Sequence, residues 1–154
     1  MRKALASSLI LFFAFILVGC AEPATFGQVA ATIPPPASGN ARIYVYRPLA
    51  SFQDTAYTKI YFNGREVAPS APGSVFYRDV PPGQYHITAL STGIYPNQFK
   101  TVTVGPGDTV YAEIQSTTSW AETMSGPSFY TFAVVIRPPA VARAQMQGLR
   151  YTPG

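Results

Sequence analysis

The chain has 154 residues, 47% hydrophobic, 14% aromatic and only 12% charged, with 11 Lys and Arg against 7 Asp and Glu and a single Cys. That length fits one globular unit built around one core. The basic side chains are scattered rather than gathered into the stripe that tracks a phosphate backbone, which excludes nucleic acid as a partner, and a lone cysteine excludes a disulfide framework.

Residues 1–19 open with Met1, Arg2 and Lys3 and continue as the uncharged run ALASSLILFFAFILVG, the layout of a secretory signal. A membrane-spanning helix is the competing reading. Spanning takes about 20 apolar residues, and the strongly apolar part, residues 9–18, is about half of that. Loss of this signal removes Arg2 and Lys3 and leaves nine basic against seven acidic residues.

The signal ends in Leu17, Val18, Gly19 and Cys20, which resemble the lipobox of bacterial lipoproteins. The resemblance implies cleavage before Cys20, a diacylglycerol thioether on its thiol, and an acyl chain such as palmitate on its new amino group. Each buried methylene contributes roughly 0.8 kcal/mol, so one acyl chain holds marginally and two or more hold firmly. The membrane lipid is thus the first expected partner. Lipoproteins of this kind that stay at the inner membrane commonly carry Asp after the cysteine. Ala21 stands there instead, which implies the outer membrane, with the domain facing the periplasm of the cell envelope.

Residues 20–40 read as the lipidated Cys and a Pro/Ala-rich tether. The run Pro34, Pro35, Pro36 favours extended polyproline II, which would let the domain stand off the bilayer; the alternative is that part of the segment packs on the domain. Residues 41–137 then change texture to short runs rich in Val, Ile, Tyr, Phe and Thr: ARIYVYR, TKIYF, SVFYRDV, QYHITAL, FKTVTV, TVYAEIQ and FYTFAVVIR. Short strands with turn signals between them predict an all-β sandwich of about seven strands. Asn63-Gly64 fits a two-residue hairpin turn with positive φ, while Pro81-Pro82-Gly83 and Gly105-Pro106-Gly107-Asp108 mark further reversals.

A period of two assigns the faces. Tyr85, Ile87 and Ala89 point one way; so do Val110, Ala112 and Ile114, and Val102 with Val104. ARIYVYR is apolar on both faces, Ile43 and Val45 on one and Tyr44 and Tyr46 on the other, so it is central or covered from outside. A cover is available in residues 138–154, where AVARAQMQ reads as a short C-terminal helix closed by Gly148 as its C-cap.

The stretches ARIYVYRP, IYFNGREV, VFYRDVPPGQYHITA and VTVGPGDTVYAEIQ resemble a family of bacterial lipoproteins with a domain of unknown function. That family is related to the transthyretin-like sandwiches of carboxypeptidase regulatory and PEGA domains. The resemblance implies a transthyretin-like β-sandwich in the cell envelope and brings no established activity. The chain departs from it in the loop STTSWAETMSGPSFY, longer and richer in small polar residues than a plain connection.

Little in the residues points to catalysis. Nucleophilic chemistry needs an activated Ser, Thr or Cys beside a base, and the only histidine, His86, lies mid-strand facing outward. Asp79 and Asp108 flank turns and read as turn-stabilising residues, and no carboxylate pair stands out. Zinc wants Cys and His clusters and calcium wants closely spaced oxygen ligands; neither spacing is present, so no metal and no cofactor is expected. What remains is recognition. Trp120 with Met124 in a long polar loop reads as an interface anchor or a loop folded back on the sandwich, with Phe52 and Tyr57 as neighbours. Tyr44, Tyr46, Tyr57, Tyr61, Tyr77 and Tyr111 sit in or beside strands and would be a platform if exposed and packing if covered. The expected function is a non-enzymatic, membrane-anchored accessory whose sandwich docks an envelope protein; the alternative is a module for cell-wall or surface glycan.

Overall fold

The computed structural model describes residues 22–49, 56–93, 98–116 and 130–153. The β-branched and aromatic runs form β1 (Ala41–Arg47), β2 (Thr58–Phe62), β3 (Arg65–Ser70), β4 (Ser74–Val80), β5 (Gly83–Ala89), β6 (Lys100–Val104), β7 (Thr109–Ser116), β8 (Phe132–Ile136) and β9 (Arg150–Tyr151). Among the described residues two short helices join them, α1 (Phe26–Val29) and α2 (Pro139–Met146). The strands make one sheet in the order β8-β7-β1-β4-β9 and a second in the order β3-β2-β5-β6. Ile43, Val45 and Phe76 of the first sheet meet Ile60, Phe62 and Ile87 of the second in a single core. The fold is an all-β sandwich with a short C-terminal helix.

Nine strands form among the described residues where the alternation predicts about seven. β3 is implied by the Asn63-Gly64 hairpin but is not among the seven runs, because it contains Pro69, which cannot donate to a ladder and is tolerated at a sheet edge, the place β3 holds. β9 is two residues long and has no pattern to read. It exists because it is held from both sides, Arg150 and Tyr151 pairing in parallel with Ser74 and Val75 while Thr25 bridges Arg150 from the other edge.

The expected turns are present. Asn63 and Gly64 take φ of 50° and 78°, the left-handed pair that a two-residue hairpin requires, and the Asn63 side chain accepts from His86 N at 2.7 Å. Asp108 Oδ2 accepts from Gly105 N at 2.7 Å and closes the reversal from Gly105 to Asp108. Gly148 is not the expected left-handed cap: α2 ends through Gln147 in a right-handed conformation, and Leu149 N bonds Met146 O.

The period-two faces also hold, with Ile87, Ala89, Ala112, Ile114 and Val104 in the core. β1 proves to be both central and covered. Its outward Tyr44 and Tyr46 are buried in a second cluster with Tyr111, Val75 and, from α2 and its end, Ala142, Met146 and Leu149. The cover has a second half, from the segment before β1. Residues read as a tether are packed on the sheet: Phe26 is only 6% exposed and meets Tyr44 edge-on, ring centres 5.6 Å apart. Phe26 N donates to Leu149 O at 2.7 Å, Gly27 N to Gln147 O at 2.9 Å, and Pro34 O accepts from Arg42 at 2.7 Å. One aromatic in an Ala/Pro-rich stretch gives little sequence signal. Burying it contributes about 1.5–3 kcal/mol, and the backbone bonds make the packing specific.

Two outcomes follow from this outer layer. Phe26→Ala should lower stability by about 3 kcal/mol, the usual cost of emptying an aromatic site, measured by urea unfolding; a change under about 1 kcal/mol would mean that the segment hangs loose. Burial also holds the Tyr44 and Tyr46 hydroxyls neutral above the ordinary tyrosine range, and burial followed by a hydrogen bond to Tyr77 pushes Tyr151 up to about 12 from 10.0. Groups raised in the folded state contribute fully below their unfolded value and lose that contribution as pH rises through the folded one. The urea midpoint should therefore fall between about pH 10 and 12, and Tyr151→Phe should flatten the fall.

Candidate functional site

The two flanks of the sandwich are closed differently. On the β6/β8 side, Gln98 bridges Ala133, Val134 N donates to Gln98 O at 3.1 Å, and Ser91 Oγ accepts from Phe132 N at 2.9 Å. Arg47, 1% exposed, reinforces this side: its guanidinium lies 4.7 Å from the Phe132 ring centre and donates to the Ala56 carbonyl. Burial pulls the Arg47 guanidinium down to about 10.

The β3/β4 flank has no such backbone bridge among the described residues, and a groove of about 290 Å³ opens there. β3 forms one wall with Val67, Ala68 and Pro69, while Thr152 and Pro153 beyond β9 form the other over a floor of Phe76. Tyr57, 73% exposed, stands at the rim. A side chain does here what backbone does opposite. The register of β2 with β3 slips between Ile60 and Tyr61, so Val67 is bulged out of the ladder; its carbonyl accepts from Arg78, which also donates to Tyr77 O at 3.1 Å and lies 5.3 Å from the Phe76 ring centre. Arg78 is thus a bolt across the open flank, and with Arg150 it makes the groove apolar with a positive lip.

On the outer face the cations that look scattered in sequence converge as internal ties. Arg42 donates to both oxygens of Asp79, at 2.6 and 2.8 Å, and lies 3.8 Å from the Tyr77 ring centre. The hydrogen bond to Asp79 holds the Arg42 guanidinium above its usual range. Asp79, expected to stabilise its turn, is instead this ion-pair partner. Glu113, also buried, accepts from Arg137 at 2.5 Å, and the Tyr46 hydroxyl donates to Gln145 Oε1 at 2.6 Å. Tyr44 and Tyr111 stack at 5.3 Å beneath Arg143.

The sequence-derived candidates therefore separate. Tyr44 and Tyr46 are interior packing and offer no platform; Tyr57 belongs to the groove; Tyr61 is half-buried on β2. Cys20, Leu17, Val18, Gly19, Trp120, Met124 and Phe52 lie outside the described residues. His86 is half-buried, its ring centre 4.0 Å from that of Phe99 and Nδ1 3.2 Å from Thr101 Oγ1. Among the described residues no three His, Cys, Asp or Glu side chains gather as metal ligands, and no helix is long and apolar enough to cross a membrane. Sequence reading missed the groove, though one sign was there. Arg78 shares a face with Phe76 and Val80, a cation at a core-facing position.

Residues 37–128 match the family described as protein of unknown function, DUF2846. The chain belongs to this family. No curated protein and no solved structure matches it. The DUF2846 stretch runs from before β1 to beyond β7 and contains Val67, Arg78 and the β3 wall. The opposite wall and both covering helices fall outside it.

Arg78→Leu should leave the Val67 carbonyl without its donor and lower stability by about 1–2 kcal/mol, read from urea unfolding. Arg78→Lys, with a point charge in place of a planar fork, should recover only part of the loss.

Proposed function

We propose that the chain is a non-enzymatic, lipid-anchored envelope protein whose sandwich docks another envelope protein through the groove on its open flank. The observation that carries the docking role is that groove: apolar walls between two sheet edges, an exposed tyrosine at the rim, and cations at the lip. A sheet edge beside an apolar groove suits an extended peptide segment. Arg78 and Arg150 favour a segment bearing an acidic side chain or a terminal carboxylate.

The anchor rests on Leu17-Val18-Gly19-Cys20 at the end of a signal-like run, and Ala21 favours the periplasmic face of the outer membrane. A transthyretin-like sandwich is the finer reading of the fold, supported by the two-sheet packing and by the turn sequence DVPPGQY. The absence of catalysis is read from the sequence, which offers one mid-strand histidine and no acid pair. Burial of Tyr44, Tyr46 and Tyr111 weighs against the glycan-binding alternative, which needs exposed rings.

Cross-linking of the acylated protein in its native envelope, followed by capture and mass spectrometry of proteins and glycans, tests this reading. A stoichiometric protein partner should be recovered with the wild type, be lost with Cys20→Ala, and fall at least about tenfold with Tyr57→Ala or Ala71→Glu, a loss of about 1.4 kcal/mol. A partner kept by both groove variants but lost with Trp120→Ala would move the interface to residues 117–129. Glycan recovered without protein would replace the reading altogether.

A further inference from the structure

β4 is paired along its whole length on one side and along only part of it on the other. Every residue from Ser74 to Val80 stands opposite one of β1, without a break in register. On the far side β9 reaches only Ser74 and Val75. The backbone shows which groups this leaves over. Arg150 N donates to Gly73 O and Thr152 N to Val75 O, both at 2.9 Å, so the odd-numbered residues of β4 turn their main-chain groups away from β1, in the alternation that an antiparallel ladder requires. Tyr77 and Asp79 are the next in that row. Among the described residues their N–H groups and the Asp79 carbonyl have no main-chain partner on that side, and the Tyr77 carbonyl is met only by the Arg78 side chain, at 3.1 Å. The strand then stops at Pro81-Pro82. The unpaired reach, residues 77–80, is about 13 Å long at about 3.3 Å per residue.

There is space on both faces of this reach. On the core face lies the groove, with Val67, Ala68, Pro69 and Phe76. On the outer face a second hollow, of about 440 Å³, is lined by Tyr77, Asp79, Tyr151 and Pro153, and Arg78 borders both. The rings of Tyr77 and Tyr151 stack there with their centres 6.3 Å apart. An added strand needs this combination: open main-chain groups in line, and room for alternate side chains above and below. Of the two strands that border the groove, β3 carries a bulge and Pro69, which blunt an edge. β4 carries neither.

We propose that the partner's segment binds by strand addition to β4, its main chain pairing with Tyr77 and Asp79 beyond the end of β9, with one set of alternate side chains in the groove and the other over Tyr77 and Tyr151. This deepens the reading of the groove as a docking site and rests on it. The side chains that line the two hollows set the chemistry of the occupant. Arg78 bonds to the carbonyls of Tyr77 and Val67, which leave its charge uncancelled, so the groove-facing set is apolar with a carboxylate near Arg78. Asp79 is neutralised by Arg42, so the outer set is aromatic or aliphatic. A proline whose nitrogen faces β4 is excluded, because it has no N–H to donate.

The test uses the chain from Cys20 onward, which contains every described residue, held through its only thiol and panned against phage-displayed random heptapeptides. In the free protein, amide hydrogen exchange followed by NMR should be at least about a hundredfold faster at Tyr77 and Asp79 than at Phe76 and Arg78, which pair with β1. Peptides that occupy the groove are recognised by binding Ala71→Glu at least about tenfold more weakly. With such a peptide bound, exchange at Tyr77 and Asp79 should slow about tenfold or more. Replacing Tyr77 by its α-hydroxy analogue turns one amide into an ester and removes that N–H; with the fold checked by urea unfolding, peptide binding should weaken about fivefold, what one hydrogen bond is worth. Unchanged exchange at both amides together with unchanged binding by the ester variant would overturn strand addition and leave the groove as a docking site. Slow exchange at Tyr77 and Asp79 in the free protein would overturn it too, because the edge would already be occupied. A library that yields no peptide, or only peptides that bind Ala71→Glu and Tyr57→Ala as tightly as the wild type, would remove the groove reading and this inference with it.

Discussion

The structure turns on one strand having no polar face. β1 lies third among the five strands of its sheet, and all seven of its residues are buried. Ile43 and Val45 satisfy the usual demand of a sandwich by meeting the second sheet. Tyr44 and Tyr46 then impose another demand, since two aromatic rings on a sheet's outer side must be covered or left wet. α2 and the N-terminal segment with Phe26 are the answer, and they turn a two-layer fold into one with a third, partial layer. The polar ends of that layer are tied in as well, Arg42 to Asp79 and Arg137 to Glu113, so that the buried side chains of the described residues leave no polar atom without a partner.

Much of this was legible in the residues. Alternation assigned the core faces of β5, β6 and β7, the Asn63-Gly64 pair specified its hairpin, and the doubly apolar ARIYVYR announced a cover. What could not be read depends on contacts far apart in sequence. Phe26 looks like one aromatic in a linker until Leu149 accepts from its amide, and Gln147 from that of Gly27, more than a hundred residues away. Asp79 looks like a turn residue until Arg42 is placed across the ladder from it, paired in register. β9 has no intrinsic preference at all and is a strand only because β4 and Thr25 stand on either side. The candidate groove is of this kind too: Arg78 hints at it, but its walls come from β3 and from the tail after β9, which nothing local brings together.

The two flanks of the sandwich also solve one problem in different ways. Where β6 and β8 approach, backbone pairs with backbone and the flank is sealed. Where β3 faces β4, a bulge turns the Val67 carbonyl away from its own ladder and a single arginine reaches it. A bulge and a proline blunt the edge of β3 against indiscriminate strand pairing.

The clasp between Ala24, Phe26, Leu149 and Tyr151 sets an order of events during biogenesis. A chain leaves the ribosome N-terminus first, so Phe26 emerges more than a hundred residues ahead of its partner Leu149. The two sheets hold most of their pairings within residues 41–136 and can assemble as those residues arrive. The outer sides of Tyr44 and Tyr111 stay wet until α2 and Leu149 have emerged. The outer layer is therefore a completion seal, set only once the first and last parts of the fold are together in the same compartment.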